Sequence, residues 1–537
     1  MEIFYGGKIY TMLHPNDSVE AVLIEKGRIV KIGAYEELAP LATSFHSIHG
    51  KTMFPGFVDS HLHIIGLGEK LIRLQLDHCE TKEQLHIEIE RALESLVPGE
   101  LLVGEGWSEY NLLQEQMLTL DELDRYRDNP IILHRVCHHV LLCNRIALQI
   151  ARVHAQTTDV IGGKIGRNND NSLNGYFYDE AMSLVMNAFV MEGEKYVNYL
   201  TSCINRAVKM MHQFGLVGGH SEDCSYYGHY SNVVKAYAQS VGKHKHFRAS
   251  ILRHHKVFDQ MMNDNIEDIT GFIEYGAMKI FADGSFGGST AALLQPYEQE
   301  GNNRGLLIHS DEQFESFIMQ ARRAGEAIAV HMIGDRAANQ VISMIEKYPA
   351  PNGKRDRLIH CCLLTETQIE RLKKLSVVLD IQPSFVSSDF PWVEQKLGNH
   401  RLHLAYAWKT LSEFPCALGT DAPIEDINPF YTIYAAVTRK KVDSDQVFNP
   451  SQCLTVFEAI KMYTYGSAFA VSKELERGLI QEGYVADFTI VDQDLLTIPS
   501  EQIINTTVLE TIVDGKTVYK NNDSLFVKKE QDNLLSY

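Results

Sequence analysis

Two histidines stand two positions apart in PGFVDSHLH, at His61 and His63. The letters before them read as a buried strand. Residues i and i+2 of a strand project to one face, so the two imidazoles converge. A converging imidazole pair is a partial site for a divalent metal, although two hydrogen-bonded turn residues would fit the same letters. Other apolar runs also end on reactive residues. His331 follows one in AIAVHMIGD, His360 in RLIHCCLL and Asp421 in FPCALGTDAPIED, while Lys279 lies inside GAMKIFADG. Taken singly, these read as satisfied core histidines, a capping aspartate and a lysine with a buried stem. Taken jointly, four histidines, a lysine and an aspartate fall on predicted strands or at their C-terminal ends. A barrel brings that order into one ring.

The elements that must position them alternate. GAMKIFADG, AIAVHMIGD, RLIHCCLL and VVLDIQPS read as strands; DEQFESFIMQARRAGE, RAANQVISMIEKYP and ETQIERLKKLS read as amphipathic helices. Strand–helix alternation predicts a parallel sheet closed by crossovers, and a (β/α)8 TIM-like barrel over residues 53–470 is the economical form. A doubly wound open sheet is the competing form, but no GxGxxG follows the first strand. Between His63 and the strand end near His220 lie 220 − 63 = 157 residues, far more than one crossover needs. An inserted subdomain, about residues 70–200, is therefore expected after the first barrel strand. Residues 1–52 and 471–537 carry short alternating strands and glycine turns, which predict one small antiparallel β-sandwich formed from both termini.

Composition narrows the function classes. A net charge of −19 over 537 residues argues against nucleic acid or an anionic membrane as the main partner; a small-molecule substrate is expected. The start of the chain lacks the features of a signal peptide, and no run of about 18 apolar residues occurs. The nine cysteines are scattered without a CxxC, and Cys361 and Cys362 read as core fillers. Reduced thiols and a cytoplasmic location are expected. The glycine-rich ADGSFGGS lacks the GxxxxGK[ST] spacing, so a nucleotide cradle is rejected.

PGFVDSHLH, the strand-end histidines, GTDAP and GLIQEGYVADFTIVD resemble the amidohydrolase superfamily of metal-dependent hydrolases over nearly the whole chain. MKIFADGSFGGSTAAL, HMIGDRAANQ, QPSFVSSDFPW, GTDAPIEDINPF and AAVTR are similar to its YtcJ-like branch, amidohydrolase family 3. The resemblance implies that His61 and His63 bind the more buried of two divalent ions. It implies that Lys279 is carboxylated and bridges both ions, that His331 and His360 bind the second, and that Asp421 touches the first ion and a bridging hydroxide. Physical chemistry agrees. Enclosure by Met278, Ile280 and Phe281 would lower the ammonium pKa. The neutral amine can take up carbon dioxide as an anionic carbamate. Two ions about 3.5–4 Å apart would acidify a shared water, with Asp421 carrying its proton to the leaving nitrogen. The implied activity is hydrolysis of a carbon–nitrogen bond other than a peptide bond, in an N-substituted or cyclic amide. Zinc is the expected metal, although manganese, iron and cobalt share these ligands. Family habit also implies a homodimer.

The chain departs from the branch at two places. Ile359 stands where members often carry an acid, and Ser221 in LVGGHSED stands where aspartate is expected. The second departure leaves open the roles of His220 and its acidic neighbours. Candidate substrate contacts are His139, with Asn144 downstream, Trp107, His220 and Asp283, each with a structural role as its alternative. One competing reading is a mononuclear deaminase or imidazolone-type hydrolase, for which HMIGDR offers only Asp335 as the acid. Another is a non-catalytic scaffold, against which retention of all six ligands stands.

Overall fold

The computed structural model describes residues 1–94, 96–108, 118–135, 139–189, 192–242, 245–264, 266, 270–390, 392–442 and 444–521. Among them, eight strands run parallel in one sheet, in sequence order, and nearly close a barrel. They are β1 (Phe57–Leu62), β2 (Leu216–Ser221), β3 (Arg248–His254), β4 (Ile273–Phe281), β5 (Ile328–Met332), β6 (Asp356–His360), β7 (Val377–Ile381) and β8 (Cys416–Leu418). β6, β7 and β8 are buried at every residue, as expected of strands covered on both faces. Crossover helices such as Asp311–Arg323 and Glu366–Leu372 open on capping boxes at Ser310 and Thr365, which satisfy N–H groups the helix leaves free.

The seam between β1 and β8 is closed just past the end of β8. The Asp421 N–H donates to the His61 carbonyl at 2.7 Å and the His63 N–H to the Ala422 carbonyl at 2.8 Å. The buried Asp59 carboxylate accepts from the Thr420 N–H at 3.1 Å and the Thr420 hydroxyl at 2.7 Å. Inside the barrel, Arg357 donates to Asp380 at 2.7 Å and to the Ser60 carbonyl at 2.6 Å. This pairs a charge that burial would otherwise penalise.

The two ends of the chain build a second eight-stranded sheet, in which Phe488–Val491 runs antiparallel to Thr52–Pro55. Its pairing is mixed rather than antiparallel throughout, because Glu2–Tyr10 runs parallel to both Ser44–Ser47 and Thr52–Pro55. Chain return through the short helix Tyr35–Leu38 allows that direction. Leu67–Tyr199 forms a separate compact unit with its own six-stranded sheet, from Leu74–Gln75 at one edge to Gly163–Arg167 at the other. Its cores include Leu85, Trp107 and Leu133 in one cluster and Ile132, Leu141 and Phe177 in the other. No helix among the described residues is long and apolar enough to cross a membrane.

Candidate active site

β1 ends in two imidazoles on one face, and the turn after β8 delivers a carboxylate between them. Asp421 Oδ1 lies 3.5 Å from His61 Nε2 and 3.4 Å from His63 Nε2, yet it is shielded from water and accepts no hydrogen bond. Two donors bound about 2.1 Å from one ion at the tetrahedral angle stand about 3.4 Å apart. The spacing and the chemistry of the donors therefore fit a divalent cation. The ligand atoms of these three residues all lie within 4.8 Å of one another.

The other predicted ligands surround this triad. The Lys279 Nζ is 3.2 Å from His61 Nε2. The rings of His61 and His360 are 5.6 Å apart, and those of His331 and His360 are 4.5 Å apart. Thus all six side chains singled out by the strand-end pattern meet at the C-terminal end of the barrel.

Neighbouring groups fix which nitrogen each imidazole presents. His63 donates Nδ1–H to the Glu222 carbonyl at 2.6 Å, since a carbonyl can only accept, and its Nε2 faces Asp421. His331 donates Nε2–H to the Gly284 carbonyl at 3.1 Å, which leaves Nδ1 as its lone pair. His360 Nδ1 meets Gln382 Oε1 at 2.8 Å, and the amide of Gln382 is oriented by its donation to the Asp380 carbonyl. Two ligand positions sit in backbone that side chains rarely adopt, His360 at φ 77° and Asp421 at φ 58°. Such conformations persist where surrounding structure over-determines them.

Burial governs the charges. It holds His61 and His331 well below the usual imidazole value, and lowers His360 to about 4 against the pull of Asp421. Burial also lowers Lys279 to about 8, although Glu222 and Asp421 oppose it. For His63, burial acts downward but is outweighed by Asp421, Glu222 and Asp223, so its value rises to about 9. For Asp421, burial acts upward but His63, His360 and Lys279 keep it below the ordinary carboxylate range. Neutral His61, His331 and His360 beside an ionised Asp421 are protonation states that ligate metal, whereas His63, held protonated by its acidic neighbours, would give up its proton to a bound ion.

The expected substrate contacts fare differently. Trp107 is 1% exposed and donates to the Leu133 carbonyl at 3.3 Å, so it is a core residue of the inserted unit rather than a pocket wall. Asn144 is likewise structural, capping the helix Arg145–Ile150. His139 pairs with Asp179 at 3.0 Å in that unit, with its side chain 75% exposed. His220 is corrected as a substrate contact. It is the fifth residue of β2, is buried, bonds the Ser60 backbone and borders a small cavity with Gly56, Val58 and Arg248. Asp283 is corrected as well. Its carboxylate accepts from the N–H groups of Ala292, Ile333 and Gly334 at 2.8–3.0 Å, clasping the loop after His331. Glu222, Gln382 and Asp59 were not singled out from the sequence. Glu222 lies in the GHSED stretch whose acidic residues could not be assigned; Gln382 and Asp59 act on ligands through hydrogen bonds that no spacing announces.

The amidohydrolase family pattern matches residues 48–519. The YtcJ protein of Bacillus subtilis (strain 168) is 41% identical over 531 residues, covering 97% of this chain and 99% of that one. The N-substituted formamide deformylase of Arthrobacter pascens is 24% identical, covering 95% and 96%. A crystal structure of an uncharacterized metal-dependent hydrolase from Pyrococcus horikoshii superposes with a TM-score of 0.75 at 25% identity, covering 93% of this chain and 99% of that one. With the six-residue cluster in place at the barrel mouth, the chain belongs to the amidohydrolase family, in its YtcJ-like branch.

Proposed function

We propose that this protein hydrolyses a carbon–nitrogen bond other than a peptide bond, in an N-substituted or cyclic amide. N-substituted formamides are the first class to try, because a relative of matching length carries that activity in its name. The observation that carries the reading is Asp421 Oδ1, buried at 3.4–3.5 Å from the Nε2 atoms of two imidazoles.

His61, His63 and Asp421 would hold one divalent ion and His331 with His360 a second, zinc by preference, with carboxylated Lys279 between them. When bound, such ions polarise a carbonyl and acidify water. The chain's own part is positional and protonic. The Asp421 carboxylate takes the proton of the attacking water and gives it to the leaving nitrogen. Glu222 and Gln382, through His63 and His360, hold the imidazoles in register. Asp335, the acid a deaminase would need, is engaged with the Leu294 N–H at 2.8 Å and is buried, which favours amide hydrolysis. The eight described cysteines are free thiols, in keeping with a cytoplasmic enzyme.

The test is metal content by elemental mass spectrometry on protein purified without chelator, paired with turnover of N-benzylformamide to formate and benzylamine. Two equivalents of metal with chelator-sensitive turnover are expected. One equivalent after add-back would move the assignment to a mononuclear enzyme, and none would leave a scaffold.

A further inference from the structure

A groove of about 670 Å³ opens at the N-terminal side of β3, away from the ligand cluster. Three segments line it: the end of helix Gly193–Gln213, the residues before β3, and the sheet-edge strand Lys516–Lys520. They contribute Lys209, His212, Lys245, His246 and Lys516, with no carboxylate among the lining residues. In a chain with 69 acidic and 50 basic residues, that local excess is against the trend. Asp514 lies 3.9 Å from His246 Nδ1 and the same distance from Arg248, which also pairs with Asp487. Among the described residues Lys209 and Lys245 have no ion pair.

The groove also borders unsatisfied polar atoms. His212 and His246 are 7% and 8% exposed. His246 Nε2 meets Lys516 Nζ at 3.3 Å. An ammonium can only donate, so His246 Nδ1 carries the hydrogen, and it has no hydrogen-bond partner. The His212 ring bonds the His246 backbone and leaves Nε2 without one. Asn205 Oδ1, about two turns earlier on the same helix, likewise has no hydrogen-bond partner. Buried polar atoms are ordinarily satisfied, and three such atoms beside one cationic groove point to a ligand. The helix C-terminus attracts Lys209 and His212, but it does not account for Lys245 and Lys516, which arrive from other segments.

We propose that this groove binds a phosphate monoester with a hydroxyl-bearing organic part. A monoester carries close to two negative charges at neutral pH, which three lysines can meet as point charges. The volume exceeds what a phosphate ion fills. Asn205 Oδ1 and His212 Nε2 offer acceptors to hydroxyl donors, and Val208 and Val518 offer an apolar wall.

The test is isothermal titration calorimetry of the full-length, metal-loaded protein with ribose 5-phosphate, inorganic phosphate and ribose. Ribose 5-phosphate should bind at least about tenfold tighter than either of the others. Its affinity should fall about tenfold or more in Lys245→Gln/Lys516→Gln and weaken as salt rises. Lys209→Gln, an exposed helical change, should weaken binding as well and covers the case in which the double variant misfolds. Absence of binding, equal affinity for inorganic phosphate, or affinity unchanged in these variants would overturn the proposal.

Discussion

A buried carboxylate oxygen without a hydrogen bond costs several kcal/mol in an apolar setting, so a protein keeps one only where something else meets it. Asp421 Oδ1 is such an atom, and its neighbours at 3.4 and 3.5 Å are imidazole nitrogens that suit a cation. Asp421→Asn keeps the shape and one oxygen but cannot hold the proton. Turnover should fall by about 10²–10⁴-fold, with at least one equivalent of metal retained in elemental analysis; activity near the parent level would remove Asp421 as the proton carrier. Lys279 tests the bridge separately. It is fully buried, and burial lowers its ammonium to about 8, which leaves a share of neutral amine at neutral pH. Lys279→Ala should empty at least one metal position, and formate or acetate added back should restore part of it. An unchanged metal count would mean the lysine serves packing alone.

Strands supply what single residues cannot, a common direction. The two-residue period of β1 made His61 and His63 legible from their spacing, and the apolar runs before His331, His360 and Asp421 marked the other strand ends. The supports were less legible. Glu222 holds His63 through a backbone carbonyl, which every residue has, so its side-chain type gave no signal. Asp283 and His220 looked like site residues because they occupy or follow barrel strands, but Asp283 bonds a loop backbone and His220 is buried against the Ser60 backbone. The seam between β1 and β8 also rests on a residue without a side chain. A Cβ at Gly419 would stand 2.6 Å from the His61 nitrogen and 2.8 Å from Asp59 Oδ1. Neither can yield without parting the strands that carry His61 and Asp421. Gly419→Ala should therefore cost about 1–3 kcal/mol and loosen the metal site with it. A lowered melting temperature and a weaker zinc affinity in competition with a chelator are expected, and a change in melting temperature alone would uncouple the seam from the site.

At the scale of the whole molecule, the ends of the chain meet in one sheet. Their similar texture made that association readable, whereas its mixed pairing was not, since parallel and antiparallel neighbours leave the same alternation in the letters. A buried ion cluster holds the two ends together. Glu510, from the C-terminal part, has a side chain 2% exposed and meets His46 at 2.9 Å and Lys51 at 3.2 Å, both from the N-terminal part. Burial alone would raise its pKa, but the bond and charge of His46 and then of Lys51 bring it down from 4.5 to about 2. A folded-state value below the unfolded one means stability that is fully present above pH 4.5. It is lost as the pH falls from there toward the folded value, because the unfolded chain takes up the proton first. Glu510→Gln removes the charge at every pH and leaves two cationic or donor groups facing an amide. The loss at neutral pH should be about 1–3 kcal/mol, less than for a fully buried pair because His46 and Lys51 keep some water. Melting temperatures of parent and variant, followed from pH 7 downward, should differ most at neutral pH and converge below about 4.5. A gap that stays constant through that range would show that Glu510 contributes by packing and hydrogen bonding rather than by its charge.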